Sequence, residues 1–137
     1  MRFGVAAVRA LAASAVIVAV PALSACGGEE PMVDPAVVSG VDWHLDSDRN
    51  ASFRIDGEKL TGTDSCNRIF GDAVVADDPV SIEFGVLGST RMWCPDQTGA
   101  QEIMRRALDG RRLVEQADDA ILVLVDEESG ESWRFVT

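Results

Sequence analysis

The stretch ASFRIDGEKLTG, residues 51–62, decides the local fold around it because it contains both a strand pattern and a turn. In its first half, Phe53 and Ile55 alternate with polar residues, which is the period-two pattern of a strand with one buried face. The dipeptide Asp56-Gly57 then gives a strong signal for a two-residue hairpin turn. Residues 58–63 are mostly polar and supply the returning strand. The sequence therefore predicts an antiparallel hairpin here.

Short strands continue on both sides of this hairpin. Residues 41–45 alternate in hydrophobicity and place Trp43 on the apolar face. The unbroken apolar run at 121–125 indicates a central strand that is covered on both faces. Further strands of the same kind are predicted at residues 73–75, 81–87 and 132–136.

One helix is predicted between these strands. Thr98 begins a capping-box pattern, with Asp96 as an alternative cap, and Gly110 ends the helix. Between them one apolar stripe at helical spacing is typical of a buried helix face; it contains Ile103, Met104, Ala107 and Leu108. The predicted class is therefore α+β: a small antiparallel β-sheet, able to curl into an open barrel, packed by one main helix.

The N-terminus has the pattern of an export signal. Arg2 and Arg9 precede an apolar run of about twelve residues, which is too short to span a bilayer. The run ends in Leu-Ser-Ala-Cys at residues 23–26, which resembles a bacterial lipobox. We therefore predict a lipoprotein signal peptide at residues 1–25 and lipidation of Cys26. A cleaved secretory signal with an incidental cysteine is the alternative.

Lipidation would anchor the protein to a membrane. Each buried CH₂ group contributes roughly 0.8 kcal/mol, so one acyl chain holds a protein marginally and two or more hold it stably. Residues 26–40 carry glycines, prolines and acids with no clear period, and they are predicted to be the lipidated cysteine and a flexible tether. Residues 41–137 are predicted to be one domain on the extracytoplasmic side of the cell envelope.

The charge of the mature chain excludes one class of partner. Removal of residues 1–25 takes away two arginines and no acidic residue, which leaves ten basic and 23 acidic residues and a formal charge of −13. Such a domain repels nucleic acids and anionic lipid headgroups. We therefore expect no nucleic-acid partner, and the membrane contact is expected through the lipid on Cys26.

Cys66 and Cys94 form an even pair once Cys26 is lipidated. In an exported protein an even pair indicates a disulfide, although two buried free thiols, a metal site or a catalytic thiol remain alternatives. The enclosed loop has 27 residues, and the chain-entropy model assigns such a loop roughly 3.5 kcal/mol of stabilisation.

Catalytic and metal sites are weakly supported by the sequence. A thiol enzyme needs a base close to the thiol, and the only histidine, His44, lies on a predicted strand with no recognisable orienting partner. Asp46, Asp48 and Asn50 resemble the start of a calcium loop, but the required glycine and glutamate positions hold Ala51 and Gly57. We therefore predict no catalytic residue, no metal and no cofactor.

Two cysteine-centred motifs carry a family resemblance: TGTDSCNRIFGDA at residues 61–73 and STRMWCPD at residues 89–96. With them the chain resembles the META domain of the HslJ-like heat-shock lipoproteins. Ser65 stands where that family usually has glycine, and Ala73 where it commonly has tyrosine. The matching residues are Trp43, Gly62, Cys66, Asn67, Gly71, Thr90, Arg91, Met92, Cys94, Pro95, Glu102 and Phe135.

The resemblance implies an envelope protein linked to stress tolerance, with a small α+β fold and no established catalytic activity. We therefore expect a membrane-anchored bacterial envelope lipoprotein whose non-catalytic domain binds or supports an unidentified envelope protein. A carrier of a small apolar ligand is the alternative, and a thiol-dependent enzyme is a less favoured one.

Three motif residues have structural interpretations. Asn67 is expected to hydrogen-bond the backbone or hold a left-handed conformation. Arg91 is expected to pair with an acid such as Asp64 or Glu102, with a lowered pKa of the Cys94 thiol as the alternative role. Trp93 and Cys94 should alternate, so that one faces the core and the other faces solvent, and the sequence is compatible with either assignment.

Overall fold

The computed structural model describes residues 33–137, so the predicted signal peptide, Cys26 and the tether up to residue 32 lie outside it. In the described part of the chain, no helix has the length and apolarity needed to cross a bilayer. The helical elements are one 3-10 turn, Pro35–Val37, and one α-helix, α1 (Ala100–Ala107). The strands are β1 (Trp43–Leu45), β2 (Asp48–Asp56), β3 (Lys59–Asp64), β4 (Arg68–Asp77), β5 (Val80–Phe84), β6 (Gly88–Ser89), β7 (Gly110–Ala117), β8 (Ile121–Val125) and β9 (Ser132–Val136).

Eight of these strands form a closed antiparallel barrel. Neighbouring strands follow the order β3-β2-β1-β9-β8-β7-β5-β4, and β3 also pairs with β4, from Lys59 opposite Asp72 to Thr63 opposite Arg68. The predicted open barrel is therefore wrong, because this last pairing closes the ring. The α+β class overstates the helical part, since α1 is eight residues long and most of the described chain is strand.

The strands predicted at 121–125 and 132–136 are confirmed with those bounds. In β8, Leu122 and Leu124 are buried while the alternate residues are half-buried, so the strand is fully covered on one face only. Strand β7 was not predicted, because Arg111, Arg112 and Glu115 mask its alternation. Its strand conformation is stabilised by pairing with β5 at one edge and β8 at the other.

The barrel interior is filled by alternate residues of the strands. Phe53 of β2 lies at its centre, with edge-to-face contacts to Phe135 at 5.0 Å and to Phe84 at 6.1 Å between ring centroids. All three rings are at most 3% exposed. Edge-to-face geometry is the favoured arrangement for aromatic side chains in a core. The alternation that predicted Phe53 and Ile55 as buried is therefore confirmed.

The barrel has two different ends. The helix end contains the β3–β4 turn at residues 65–67, the segment 90–99 and α1. The entry end contains the β4–β5 turn at residues 78–79, the β7–β8 turn at residues 118–120 and the incoming chain. Strand β4 has ten residues and connects the two ends.

The incoming chain packs against the entry end. Val33 forms a bridge with Ala117, and the Asp34 amide donates to the Ala117 carbonyl at 3.0 Å. Val38 is fully buried, and its carbonyl accepts a 2.9 Å hydrogen bond from the Trp43 indole. Residues 33–40 are thus part of the folded domain, contrary to the flexible tether expected over 26–40. Short apolar residues such as Val33 and Val38 gave no periodic signal from which this packing could be predicted.

Candidate functional site

A disulfide joins Cys66 to Cys94 at the helix end, with 6.0 Å between their Cα atoms. Cys66 lies in the β3–β4 turn, and Cys94 lies in the segment that follows β6. The pairing expected from cysteine parity is therefore present, and neither sulfur is a free thiol. Residues 33–137 contain no group of three or more histidine, cysteine or carboxylate side chains placed to hold a metal ion.

Asn67 holds the same two segments together beside the disulfide. Its Oδ1 accepts from the Met92 amide at 2.6 Å and from the Thr90 hydroxyl at 3.1 Å. Its Nδ2 donates to the Met92 carbonyl at 3.1 Å. The residue is only 8% exposed, so these bonds are largely protected from water. The expected backbone role of Asn67 is confirmed. Thr90 contributes its side-chain hydroxyl to this network, whereas Met92 contributes only backbone groups.

The turn that carries Cys66 and Asn67 is organised by one carboxylate. Oδ1 of Asp64 accepts from the Cys66 amide at 2.9 Å and from the Asn67 amide at 2.6 Å. Between them, Ser65 has φ = +81°, in the left-handed region where a Cβ atom is unfavourable. The glycine usual in the family at this position has no Cβ and avoids that strain. The departure at Ser65 therefore leaves the tight turn in place at an energetic cost.

Replacement of Ser65 by glycine is expected to stabilise the protein by about 1 kcal/mol. Removing the Cβ relieves roughly 1–2 kcal/mol of left-handed strain, and the greater freedom of glycine in the unfolded chain offsets part of this gain. Urea denaturation measures the difference. Ser65→Ala is the matched control, because it removes the hydroxyl but keeps the Cβ. Equal stability of the glycine and alanine variants would show that the backbone is not strained.

Asp48 connects the start of β2 to the segment before α1. One carboxylate oxygen accepts from the Thr98 hydroxyl at 2.7 Å, and the other accepts from the Asn50 amide at 3.0 Å. These hydrogen bonds, that from Thr98 first, hold the pKa of Asp48 below its usual value. The neighbouring Asp46 lies 3.6 Å from Arg134. The acidic run that resembles a calcium loop thus forms the β1–β2 turn.

Helix α1 begins under a cap provided by Asp96. Its carboxylate accepts from the amides of Gln101 at 3.1 Å and Glu102 at 3.3 Å, which satisfies two of the unpaired donors of the first turn. Gln101 in turn donates from its side chain to the Cys94 carbonyl at 3.2 Å. Gly99 occupies the N-cap position, and Thr98 accepts only from the Ala100 amide at 3.4 Å, so the predicted capping box does not form. Asp96, the predicted alternative, caps the first turn, and Gln101 links α1 to Cys94.

Two motif glycines allow close approach of neighbouring chain segments. A Cβ at Gly62 would collide with the Ser52 carbonyl oxygen and lie 2.9 Å from the Phe53 Cα. A Cβ at Gly71 would lie 2.6 Å from the Leu87 side chain. The first glycine permits the β2–β3 contact, and the second permits the segment after β5 to lie against β4.

The two charged motif residues, Arg91 and Glu102, do not pair with each other. Arg91 is exposed and makes no ion pair within residues 33–137, so the predicted pair with Asp64 or Glu102 is wrong. Glu102 instead accepts from Arg105 at 2.6 Å, and this hydrogen bond lowers the pKa of Glu102.

His44 donates from its ring to the Arg49 carbonyl at 2.8 Å on the outside of β1. Pro95 is exposed between Cys94 and the cap.

The structure decides the orientation of Trp93. Its side chain is 88% exposed, while Cys94 is half-buried. The described residues contain five exposed large apolar side chains, and every one lies on β4 or on residues 86–93, which continue the chain beside β4. They are Phe70, Val74, Val86, Met92 and Trp93. Met92 and Trp93 are adjacent at the helix end and indicate an interaction surface there, whereas Val74 lies nearer the entry end of β4.

A cavity of about 380 Å³ lies next to this surface. One wall is the chain from Gly85 to Ser89, and the other is the face of α1 that carries Met104 and Leu108. The volume is in the range of sites that bind small molecules or side chains. Sequence reasoning identified Met104 and Leu108 as core residues and missed the cavity, because nothing in the local pattern shows that α1 and residues 85–89 stand apart.

Comparisons with known proteins agree with this geometry. The model of the META domain family matches residues 23–137. No curated protein matches the chain significantly. Among solved structures, the NMR structure of a protein from Burkholderia xenovorans is similar, with 21% sequence identity and a TM-score of 0.56. The similarity covers 82% of this chain and 93% of that one. At this identity the likeness shows a shared fold.

Proposed function

We propose that this chain, which belongs to the META domain family, is a lipid-anchored bacterial envelope protein whose barrel binds another envelope protein without catalysis. The observation that carries the proposal is the exposed indole of Trp93, which lies in a segment held by the Cys66–Cys94 disulfide and by the hydrogen bonds of Asn67. Tryptophan is among the residue types that contribute most to protein interfaces. The disulfide and Asn67 fix this segment before a partner arrives, which reduces the entropy lost on binding.

The position of the proposed anchor supports a free binding surface. Residues 27–32 separate Cys26 from Val33 and span at most about 20 Å when extended. Val33 lies at the entry end, beside Ala117. Trp93 lies at the helix end, and β4 runs roughly 30 Å between the two ends. An anchor at Cys26 would therefore hold the entry end near the membrane and leave Trp93 pointing away from it.

The state of the two domain cysteines supports a non-catalytic role. Both sulfurs are in the Cys66–Cys94 bond, so neither is available as the thiolate that a thiol-dependent enzyme needs. His44, the base considered for such an enzyme, is hydrogen-bonded to a backbone carbonyl. The carrier alternative draws its support from the 380 Å³ cavity, and the experiment below separates it from protein binding.

In-cell photo-cross-linking tests the proposal. A benzophenone amino acid replaces Trp93 in the full chain, and Val74, an exposed apolar residue nearer the entry end, is the matched control position. We expect a discrete protein adduct in the membrane fraction from position 93 and none from position 74. Adding the purified domain in excess should compete the adduct away. In a second strain, Cys26→Ser should move the protein out of the membrane fraction.

Different results contradict different parts of the proposal. Retention of the Cys26→Ser variant in the membrane fraction would overturn the anchor. Equal adducts from positions 93 and 74 would overturn the binding surface. Recovery of an organic-extractable lipid with the purified protein, and no protein adduct, would favour the carrier. The link to stress tolerance remains a prediction of the family resemblance, and growth of a deletion strain under heat stress tests it.

A further inference from the structure

A groove runs between α1 and the chain that follows β5. Five consecutive residues, Gly85 to Ser89, form one wall along its whole length. The other wall is a single face of α1, with positions spaced as on one side of a helix: Gln101, Met104, Arg105 and Leu108. The groove is therefore bounded by one continuous stretch of chain and by one face of the helical region, which leaves room for a chain segment between them.

The wall from Gly85 to Ser89 connects β5 to the two-residue strand β6, and β6 has one unpaired edge. Pairing between β5 and β7 ends at Phe84 opposite Gly110. Beyond that point β6 pairs with β4 on one side, at Ile69 opposite Ser89, and no described strand pairs with its other side. In the described chain, the amides of Val86 and Leu87 donate to no carbonyl or side chain. An unpaired edge of this kind offers hydrogen bonds to an added strand.

The interior of the groove is apolar. Ile69, Met104 and Leu108 line it and are at most 7% exposed, and Leu87 packs against the same core. Apolar side chains of an incoming segment would leave water on entering this space, which favours binding by roughly 25 cal/mol for each Å² buried.

A carboxylate stands at each end of the groove. Asp64 lies near Ser89 and the start of α1, and Asp109 follows α1 and lies near Gly85. Asp64 uses Oδ1 for the turn amides, and Oδ2 has no hydrogen-bond partner among residues 33–137. Arg105, the cation on the rim, is already engaged by Glu102 at 2.6 Å. The ends of the groove are therefore complementary to positive charge.

We propose that this groove binds an extended segment of the partner protein by strand addition along Gly85 to Ser89. The segment has apolar side chains at its centre, which enter between Met104, Leu108 and Ile69, and a basic residue at each end, which meets Asp64 or Asp109. The inference rests on the proposed function in requiring a protein partner, and it adds where that partner binds and with what sequence character.

An NMR titration tests the groove directly. The exported mature chain with Cys26→Ser, labelled with ¹⁵N and still carrying its disulfide, receives the blocked peptide Lys-Val-Leu-Val-Lys. We expect chemical-shift changes concentrated at residues 85–89 and on the Met104 face of α1. The blocked peptide Glu-Val-Leu-Val-Glu has the same apolar centre and should bind at least threefold more weakly.

Charge variants test the two ends. Asp64→Asn with Asp109→Asn should weaken the basic peptide by about three- to tenfold, as expected for the loss of two exposed ion pairs. Asparagine at 64 keeps an oxygen that accepts from the Cys66 and Asn67 amides, so the fold is expected to remain, and thermal unfolding checks this. The matched control is Asp77→Asn with Asp119→Asn, the same charge change at the entry end, and it should bind like the parent chain.

Three results would overturn the proposal: equal binding of the two peptides, shifts confined to other residues, or no shifts at the solubility limit of the basic peptide. Binding of octanoate in the groove without peptide binding would also overturn it and would indicate an apolar carrier. A cross-linked adduct at position 93 in cells, together with no chemical-shift changes in the peptide titration, would refute binding in the groove and leave the proposed surface at Trp93. Peptide binding without any adduct would refute the proposed surface at Trp93 and leave the groove.

Discussion

Reduction of the Cys66–Cys94 disulfide is expected to lower the free energy of unfolding by about 3.5 kcal/mol. The bond joins residues 28 apart in sequence, and breaking it lets the unfolded chain regain the conformations that the closed loop forbids. A small domain is stable by only about 5–15 kcal/mol, so this loss is a large fraction of the total. We expect the reduced protein to unfold at a markedly lower urea concentration.

Urea denaturation with and without reductant measures this effect. The double variant Cys66→Ala with Cys94→Ala is the control, because it should match the reduced parent and show no response to reductant. A parent protein whose unfolding midpoint ignores reductant would contradict the expected contribution. Intact-mass analysis after alkylation, with and without prior reduction, confirms the thiol state in each sample.

Replacement of Asn67 by alanine is expected to cost about 3 kcal/mol, because three hydrogen bonds are lost and the Met92 amide and carbonyl lose a partner at a largely buried site. The segment that carries Trp93 would then keep the disulfide and the hydrogen bonds between Thr90 and Arg68. Chemical denaturation measures the stability, and amide hydrogen exchange at residues 90–93 measures the loosening of the segment.

Asn67→Asp separates the acceptor and donor roles of this side chain. Aspartate keeps an oxygen for the Met92 amide but, when ionised, cannot donate to the Met92 carbonyl, and its charge lies close to Asp64. Ionisation is thus disfavoured in the folded state and the pKa of the new carboxyl is raised. Stability is therefore retained below the unfolded pKa of about 3.9 and is lost as the pH rises from there through the raised folded pKa. We expect a cost of about 2 kcal/mol at pH 7, smaller in acid. An Asn67→Ala variant as stable as the parent would show that water replaces the lost partners.

Reduction of the disulfide and the Asn67→Ala substitution act on the same segment, so their effects on the free energy of unfolding should not be additive. The disulfide holds Cys94 and Asn67 holds Met92, two residues earlier in the chain. Neighbouring contacts of this kind show interaction energies in double-mutant cycles. If this stiffness serves binding, either change should also weaken the position-93 adduct more than its effect on global stability explains.

Several features could be predicted because the responsible residues are close in sequence. The Asp56-Gly57 turn and the alternation of Phe53 and Ile55 predicted the β2–β3 hairpin, and it forms with Asp56 opposite Lys59. The apolar run at 121–125 predicted β8. The cysteine pair needed no local geometry, because the expected export and lipidation of Cys26 left an even number. Asn67 was assigned to backbone hydrogen bonding from its side-chain chemistry.

Other features of the same region could not be predicted from the sequence. The charged residues of segment 110–117 mask the alternation typical of a strand, so β7 could be recognised only from its pairing with β5 and β8. Residues 33–40 have no periodicity, and the burial of Val38 among them follows from the end of the barrel that they cover. The strain at Ser65 follows only from the positive φ of this residue in the folded turn. The exposure of Trp93 depends on how its segment lies once the disulfide joins Cys94 to Cys66 in the β3–β4 turn, and no local pattern in the sequence shows this.

The sequence by itself predicted an antiparallel sheet, the hairpin, the helix position and the family, since each depends on a repeat, a turn dipeptide or a motif within a few residues. The even number of cysteines favoured the disulfide but left free thiols as an alternative. Only the tertiary structure decided that the barrel closes through β3 and β4, that the helix end presents Trp93, and that a groove remains beside Gly85 to Ser89. These features arise where residues far apart in the chain meet. Closure is a pairing between whole strands, exposure is what the remaining chain leaves uncovered, and a groove is the space between two elements that do not touch.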